Sequence, residues 1–128
     1  MSGRLALAAA VLGGAAAILL ALRRAVDVVE VRGGSMAPAL LAGDRLLVES
    51  VTYRRRPPRP GEVVLAPDPR APERELIKRI ATVDPVAATA SLAGDAPDAS
   101  TDSRAFGPVP LKDVRWRAVG RYWPPRRP

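Results

Sequence analysis

The sequence predicts a mainly β protein: a small all-β domain carried behind one N-terminal transmembrane helix. Three observations lead there. The stretch Leu5 to Leu22 has no charged or strongly polar residue and is bounded by Arg4 on one side and by Arg23 and Arg24 on the other. After it, hydrophobic periodicity changes to short β-like runs. Those runs are separated by Gly33-Gly34 and by prolines, of which the chain has 14. With 128 residues, 48% of them apolar, the chain can build one compact core but not two.

The elements follow in order. As a helix, Leu5 to Leu22 spans roughly 27 Å at about 1.5 Å per residue, close to the ~30 Å hydrocarbon core of a bilayer. Eight alanines and two glycines make it only modestly hydrophobic, so a cleavable signal peptide competes with an anchor. A possible Ala-x-Ala site, Ala15 to Ala17, lies inside the apolar run, and cleavage there would leave Ile18 to Leu22 on the mature end. A retained anchor over residues 1–24, followed by a domain over 25–128, is therefore expected. Charge counting leaves its sidedness open, because Arg4 and the α-amino group balance Arg23 and Arg24. The expected strands are Val26 to Val31, Arg45 to Val51, Glu62 to Ala66, Glu75 to Val83, Val86 to Leu92 and Val114 to Tyr122. Gly33-Gly34, Pro57 to Gly61 and Pro67 to Pro72 carry turn chemistry, and Asp84-Pro85 marks a hairpin turn. No amphipathic helix follows the anchor.

Composition removes whole chemistries. With no Cys there are no disulfides, thiol nucleophiles or thiolate metal sites, and with no His there is no imidazole ligand and no Ser-His-Asp triad. A hydrolase of this composition needs a carboxylate, an amine or a bound metal as its base. Net charge is +7, of which Arg4, Arg23 and Arg24 hold +3, so the domain is only mildly basic. Its densest cluster, Arg54, Arg55, Arg56 and Arg59, reads as a solvated loop or one that touches anionic headgroups, in preference to a nucleic-acid surface. Aromatics at 4% offer no stacking platform for single strands, and no nucleic-acid partner is expected.

Three segments carry chemistry. In Gly33-Gly34-Ser35-Met36-Ala37-Pro38, two glycines let the backbone turn sharply after an extended run and present a serine hydroxyl; an ordinary turn with a surface serine fits the same residues. In Glu75-Leu76-Ile77-Lys78-Arg79-Ile80-Ala81, strand alternation places Leu76, Lys78 and Ile80 on one face and Ile77, Arg79 and Ala81 on the other. Each face carries one cation, and only the lysine can lose its proton. Burial penalises the ammonium and lowers its pKa, as a lysine base requires; bringing it from ~10.4 to about 8 costs roughly 3 kcal/mol. A snorkelling lysine is the alternative. The chain's other lysine, Lys112, lies beside Asp113 in a Pro-flanked loop and reads as solvated. The third segment, Gly94 to Gly107, is dense in turn formers and carboxylates. Its Asp95, Asp98, Asp102 spacing does not fit an EF-hand, and a rigid loop held by an Asp102 to Arg104 ion pair accounts for it.

In this order and spacing the segments resemble the type I signal peptidase family, membrane-anchored Ser-Lys endopeptidases that remove signal peptides from exported proteins. Ser35-Met36-Ala37-Pro38 with Leu40 to Val48 resembles the family's nucleophile box, and Arg59-Pro60-Gly61-Glu62-Val63-Val64 its next strand. Ile77-Lys78-Arg79-Ile80 resembles the lysine box and Gly94 to Gly107 the last box. The resemblance implies Ser35 as nucleophile, Lys78 as general base, Ser100 as a hydrogen-bond partner of the lysine amine, and Asp102 with Arg104 as a structural ion pair. It implies that the Ser35 N–H stabilises the oxyanion; the family's additional hydroxyl donor two residues before the nucleophile is replaced here by Gly33. Val31, Leu40, Leu76 and Ile77 fall where the family lines shallow apolar pockets for small side chains. Ala96 and Ala39 depart from the family's usual Asn and Thr, and neither is a reacting group.

The implied protein is a serine endopeptidase without metal or cofactor. Its expected partners are exported precursors and the lipid membrane, and its expected place is the cytoplasmic (plasma) membrane, single-pass, with the catalytic domain outside. The short chain also suits a dedicated maturation protease for one or a few precursors. A self-cleaving regulator of the repressor type shares the Ser-Lys chemistry but needs a DNA-binding helical domain where this chain is apolar. An inactive membrane-anchored β module is the non-enzymatic reading.

Overall fold

A computed structural model of the chain describes residues 2–96 and 107–123. Its helix α1 runs from Ser2 to Ala25, beyond both ends of the apolar stretch. It is long and apolar enough to cross a membrane, and none of its apolar window is covered by the rest of the chain. Arg23 and Arg24 close its last turn, where cations complement the helix dipole.

Among the described residues seven strands follow: β1 Val26–Glu30, β2 Arg45–Glu49, β3 Val63–Asp68, β4 Ala71–Asp84, β5 Thr89–Ala93, β6 Val109–Pro110 and β7 Trp116–Trp123. They form one sheet in the order β1-β2-β7-β3-β4-β5-β6, with antiparallel pairing throughout. The mainly β class is as the sequence predicts. A one-turn helix α2, Thr52–Arg55, was not expected; it follows β2, where the Glu49 carboxylate accepts the Val51 and Thr52 backbone N–H groups. β6 is only two residues long and carries no alternation from which to read it.

Two boundaries differ from expectation for a local reason. The segment Pro67 to Pro72 is not one loop: β3 continues through Pro67 and β4 starts at Ala71. β7 borders β3 only at Val64 and Leu65, so Pro67 sits where β3 has an open side and its missing donor is tolerated. The turn between them is closed by Asp68, which accepts the Arg70 backbone N–H at 2.9 Å and the Arg70 guanidinium at 3.1 and 3.0 Å. At the other end of β4 the Asp84-Pro85 turn forms as predicted, with Asp84 Oδ1 accepting the N–H groups of Val86 and Ala87. That turn holds residues 85–88, so β5 starts at Thr89 and not at Val86.

The core has two parts. Val64, Ala66, Ile80, Ala90, Leu92, Val109 and Val114 form the larger one. Val31, Leu46 and Val48 form the smaller, with Leu40, Ile77 and Trp116 packed against it. Helix α1 passes into β1 without a linker, since Ala25 is buried and its carbonyl accepts the Ser50 backbone N–H at 2.8 Å. The exit of the helix is thereby tied to the end of β2.

Candidate active site

Among the described residues, the sheet has two open edges between β1 and β4: β1 pairs only with β2, and β5 covers β4 only from Arg79 onward, which leaves the stretch up to Lys78 paired on the β3 side alone. A cleft of about 600 Å³ lies along these edges, lined by Val29 to Arg32 on one side and Glu73 to Lys78 on the other, with Ser35, Met36 and Leu65.

Ser35 reaches this cleft through a compact turn. Gly33 has φ +79°, a backbone conformation that L side chains rarely adopt, and turns the chain just after the β1 extension. The Ala37 N–H then donates to the Gly34 carbonyl and the Leu40 N–H to the Met36 carbonyl. Met36 is 1% exposed, so the residue after the serine is anchored in the interior while Ser35 itself stays half-buried at the cleft. Before β2, the buried Asp44 carboxylate accepts the Leu41 N–H at 2.9 Å and lies 3.6 Å from Arg121.

Lys78 is on the inner face of β4. Directly across the strand pair is Val64, and two residues along the same face is Ile80, both fully buried. Lys78 is itself 4% exposed, which decides between the two readings of this lysine: it does not snorkel to solvent. Its neighbours on this face include the aliphatic side chains of Val64 and Ile80.

Ser35 and Lys78 thus line one cleft, although 43 residues apart in sequence. Val31, Leu76 and Ile77 line it too. Leu40 is not among its described walls; it packs on the smaller core cluster with Val31 and Ile77. Ser100, Asp102 and Arg104 lie outside the described residues.

One pair at the site was not anticipated. Arg79, on the face of β4 opposite Lys78, donates through Nε and Nη2 to both Asp95 oxygens at 2.9 and 2.7 Å, and through Nη1 to the Gly61 carbonyl at 2.8 Å. The guanidinium holds the Asp95 carboxyl below its usual range, with burial opposing. The next residue, Ala96, donates its N–H to the Ser35 carbonyl at 2.8 Å. A single short segment, Gly94 to Ala96, therefore ties the turn that carries Ser35 to the strand that carries Lys78. Strand alternation puts Arg79 on the face opposite Lys78 without saying which face is outward, and the sequence offers several carboxylates as partners, so the pairing was legible only as a choice among Asp95, Asp98 and Asp102. No group of three or more carboxylates suited to holding a metal ion occurs among the described residues.

An apolar N-terminal helix, an antiparallel sheet, and a serine and a buried lysine on one cleft are thus found together. The family model described as signal peptidase, peptidase S26, matches residues 4–90, and the chain belongs to that family. It is 37% identical over 124 residues to the mitochondrial ATP-independent inner membrane protease subunit 1a of Arabidopsis thaliana, covering 80% of this chain and 74% of that protein. To subunit 1b of the same plant it is 33% identical, over 72% of this chain and 67% of that one. The mitochondrial inner membrane protease subunit 1 of Homo sapiens is 28% identical, over 76% and 69%. These relatives correct the expected location: they are proteases of the mitochondrial inner membrane and not of a plasma membrane. Charge patterning could not have revealed this, since membranes of different compartments impose the same length and hydropathy on a helix.

Proposed function

We propose that the chain is a serine endopeptidase that cleaves precursor proteins beside a membrane, with Ser35 as nucleophile and Lys78 as general base. The observation that carries this is the placement of a half-buried serine and a buried lysine on one open-edged cleft. A neutral Lys78 amine takes the Ser35 Oγ proton as Oγ attacks the scissile carbonyl carbon. The tetrahedral oxyanion is held by the Ser35 N–H, and the Lys78 ammonium then gives its proton to the departing amine. Water, deprotonated in turn by Lys78, cleaves the acyl ester and restores the serine. Two unpaired strand edges flank this point, and an extended peptide laid between them satisfies its backbone by strand addition, which positions a scissile bond without demanding large side chains. Val31, Leu76 and Ile77 then form the apolar floor against which small residues of the substrate pack. The membrane is the one that α1 enters, and the names of the relatives point to the mitochondrial inner membrane.

The test is direct. Ser35→Ala and Lys78→Arg should each abolish cleavage of an Ala-x-Ala precursor in protein that remains folded, and a serine-directed acylating probe should label the parent chain at Ser35 alone. Arg keeps the positive charge but cannot accept the proton. Substantial cleavage by folded Lys78→Arg protein places the base elsewhere.

A further inference from the structure

A second hollow, of about 460 Å³, opens at the foot of α1. Its walls include Arg24 from the last turn of α1, Arg54 from α2, and Lys112 and Arg115 from the segment before β7, together with the aromatic rings of Tyr53 and Trp116. An adjoining hollow of about 390 Å³ shares Tyr53, Arg54 and Lys112 and adds Arg55 and Arg56. No carboxylate lines either one among the described residues. Glu62 is held by Arg56 at 2.6 Å and Glu49 by Arg117 at 3.0 Å, while Asp113, next to Lys112 in the chain, lines a separate hollow with Glu75, Arg115 and Trp116. Arg24, Arg54, Arg55, Lys112 and Arg115 have no described carboxylate within ion-pair distance. Five like charges gathered round two hollows repel one another, and an anion seated between them relieves that repulsion.

Position identifies the source of the anion. Arg24 is the next-to-last residue of α1, and the Ser50 to Ala25 hydrogen bond fixes the helix exit beside α2. The hollow therefore lies at the level where α1 leaves a bilayer. Phosphates of the lipid headgroups lie at that level, and Tyr and Trp are at home there because their rings are apolar and their tips polar. We propose that this basic pair of hollows binds the phosphate of an anionic phospholipid, the second hollow accepting a second phosphate. The contact has a mechanical consequence. β1 starts directly at the helix end, and from Val26 the chain reaches Arg32 at the cleft within roughly 20 Å at ~3.3 Å per residue, so a lipid clamped at the foot fixes the tilt of the domain and the height of the cleft above the membrane. The binding site does not depend on the peptidase reading; only this consequence does.

Trp116 is a built-in reporter, because the chain has just one other tryptophan, Trp123. Full-length Trp123→Phe protein in lipid nanodiscs should show stronger quenching of Trp116 by a headgroup spin-labelled anionic lipid than by its zwitterionic counterpart. Arg54→Gln with Arg115→Gln should lower that preference about 25-fold, about fivefold for each cation removed, and Arg54→Glu with Arg115→Glu should abolish it. Arg45→Glu, an exposed charge change at the start of β2, should leave it intact. Cleavage of a short soluble peptide should be unchanged in all of them, which separates this proposal from the catalytic one. Undiminished anionic preference in the Arg54 and Arg115 variants overturns the proposal. So does an equal Trp116 response to inorganic phosphate in zwitterionic discs, which makes the ligand a soluble phosphate, or displacement of the lipid by an oligonucleotide, which makes it a nucleic acid.

Discussion

Replacing Asp95 with Asn tests whether the Gly94 to Ala96 segment positions the reacting groups. The substitution keeps side-chain shape but removes the charge that answers Arg79. The pair consists of two hydrogen bonds, at 2.9 and 2.7 Å, and its side chains are 37% and 21% exposed. Charged hydrogen bonds contribute about 1.5–3 kcal/mol each when protected, but partial exposure and screening reduce a pair of this kind to about 1–2 kcal/mol in total. For a domain near 100 residues that is a fall in Tm of roughly 4–8 °C per kcal/mol. The larger effect should be on rate. Ala96 donates to the Ser35 carbonyl, so a loosened segment lets the serine drift from Lys78, and a misplacement of about 1 Å costs on the order of a hundredfold in rate. In full-length protein, kcat for precursor cleavage should fall about 10- to 100-fold with KM within about threefold, because the cleft walls on β1 and β4 are untouched. The ascending limb of the pH profile should keep its midpoint, since Asp95 is not the base. Arg79→Lys should be intermediate, as an ammonium can reach Asp95 but cannot also span to the Gly61 carbonyl. An unchanged kcat beside a lowered Tm would refute the positioning role and leave the pair purely structural.

Other expectations are open to simpler measurements. The rate of cleavage should rise with pH to an apparent pKa well below the ~10.4 of free lysine, because the buried amine must be neutral to act, and EDTA should not change it; a rate lost on metal removal and restored by zinc or calcium would overturn the dyad. Acid should destabilise the fold near β2: burial works to raise the Glu49 pKa, but hydrogen bonds from Thr52, Val51 and Arg117 outweigh it and bring it from 4.5 to about 2. A carboxylate lowered in the folded state stabilises fully above its unfolded pKa, and that contribution is lost as pH falls from about 4.5 toward 2. Glu49→Gln should therefore flatten the acid limb of a denaturation series followed by near-UV circular dichroism, and an unaltered limb would assign the acid response to other groups. Deleting residues 1–24 should leave cleavage of a short soluble peptide within a few-fold while cleavage of a membrane-inserted precursor falls much further, since Ala25 and its bond to Ser50 remain; equal loss on both, in folded protein, would mean the helix shapes the cleft itself.

What the sequence made legible and what it hid divide along a physical line. The helix was readable because eighteen uncharged residues admit few alternatives. Strands β2 to β5 were readable because alternation and flanking turn residues agree, and Asp84-Pro85 encodes its own turn through the Asp84 carboxylate. Lys78 could be singled out by chemistry, as one of two lysines and the one among aliphatic neighbours, but alternation left two faces equivalent. Burial resolved them, because register with β3 places Lys78 opposite Val64. Contacts made by tertiary closure were not legible: Pro67 looked like loop until β7 was seen to stop at Leu65, and nothing in the strand pattern joined Arg79 to Asp95 and Gly61, which the folded sheet brings to it. The same limit explains the basic hollow, whose cations come from α1, α2 and the segment before β7. Taken one at a time they are unremarkable surface arginines and a lysine, and the charge cluster in the sequence names only those that happen to be neighbours. Arg24 and Arg115 join it through the hydrogen bond that holds the helix end against Ser50 and the strand that brings Trp116 beside Tyr53. A local code can specify a turn or a strand face, whereas a site made by several segments exists only once the sheet has closed.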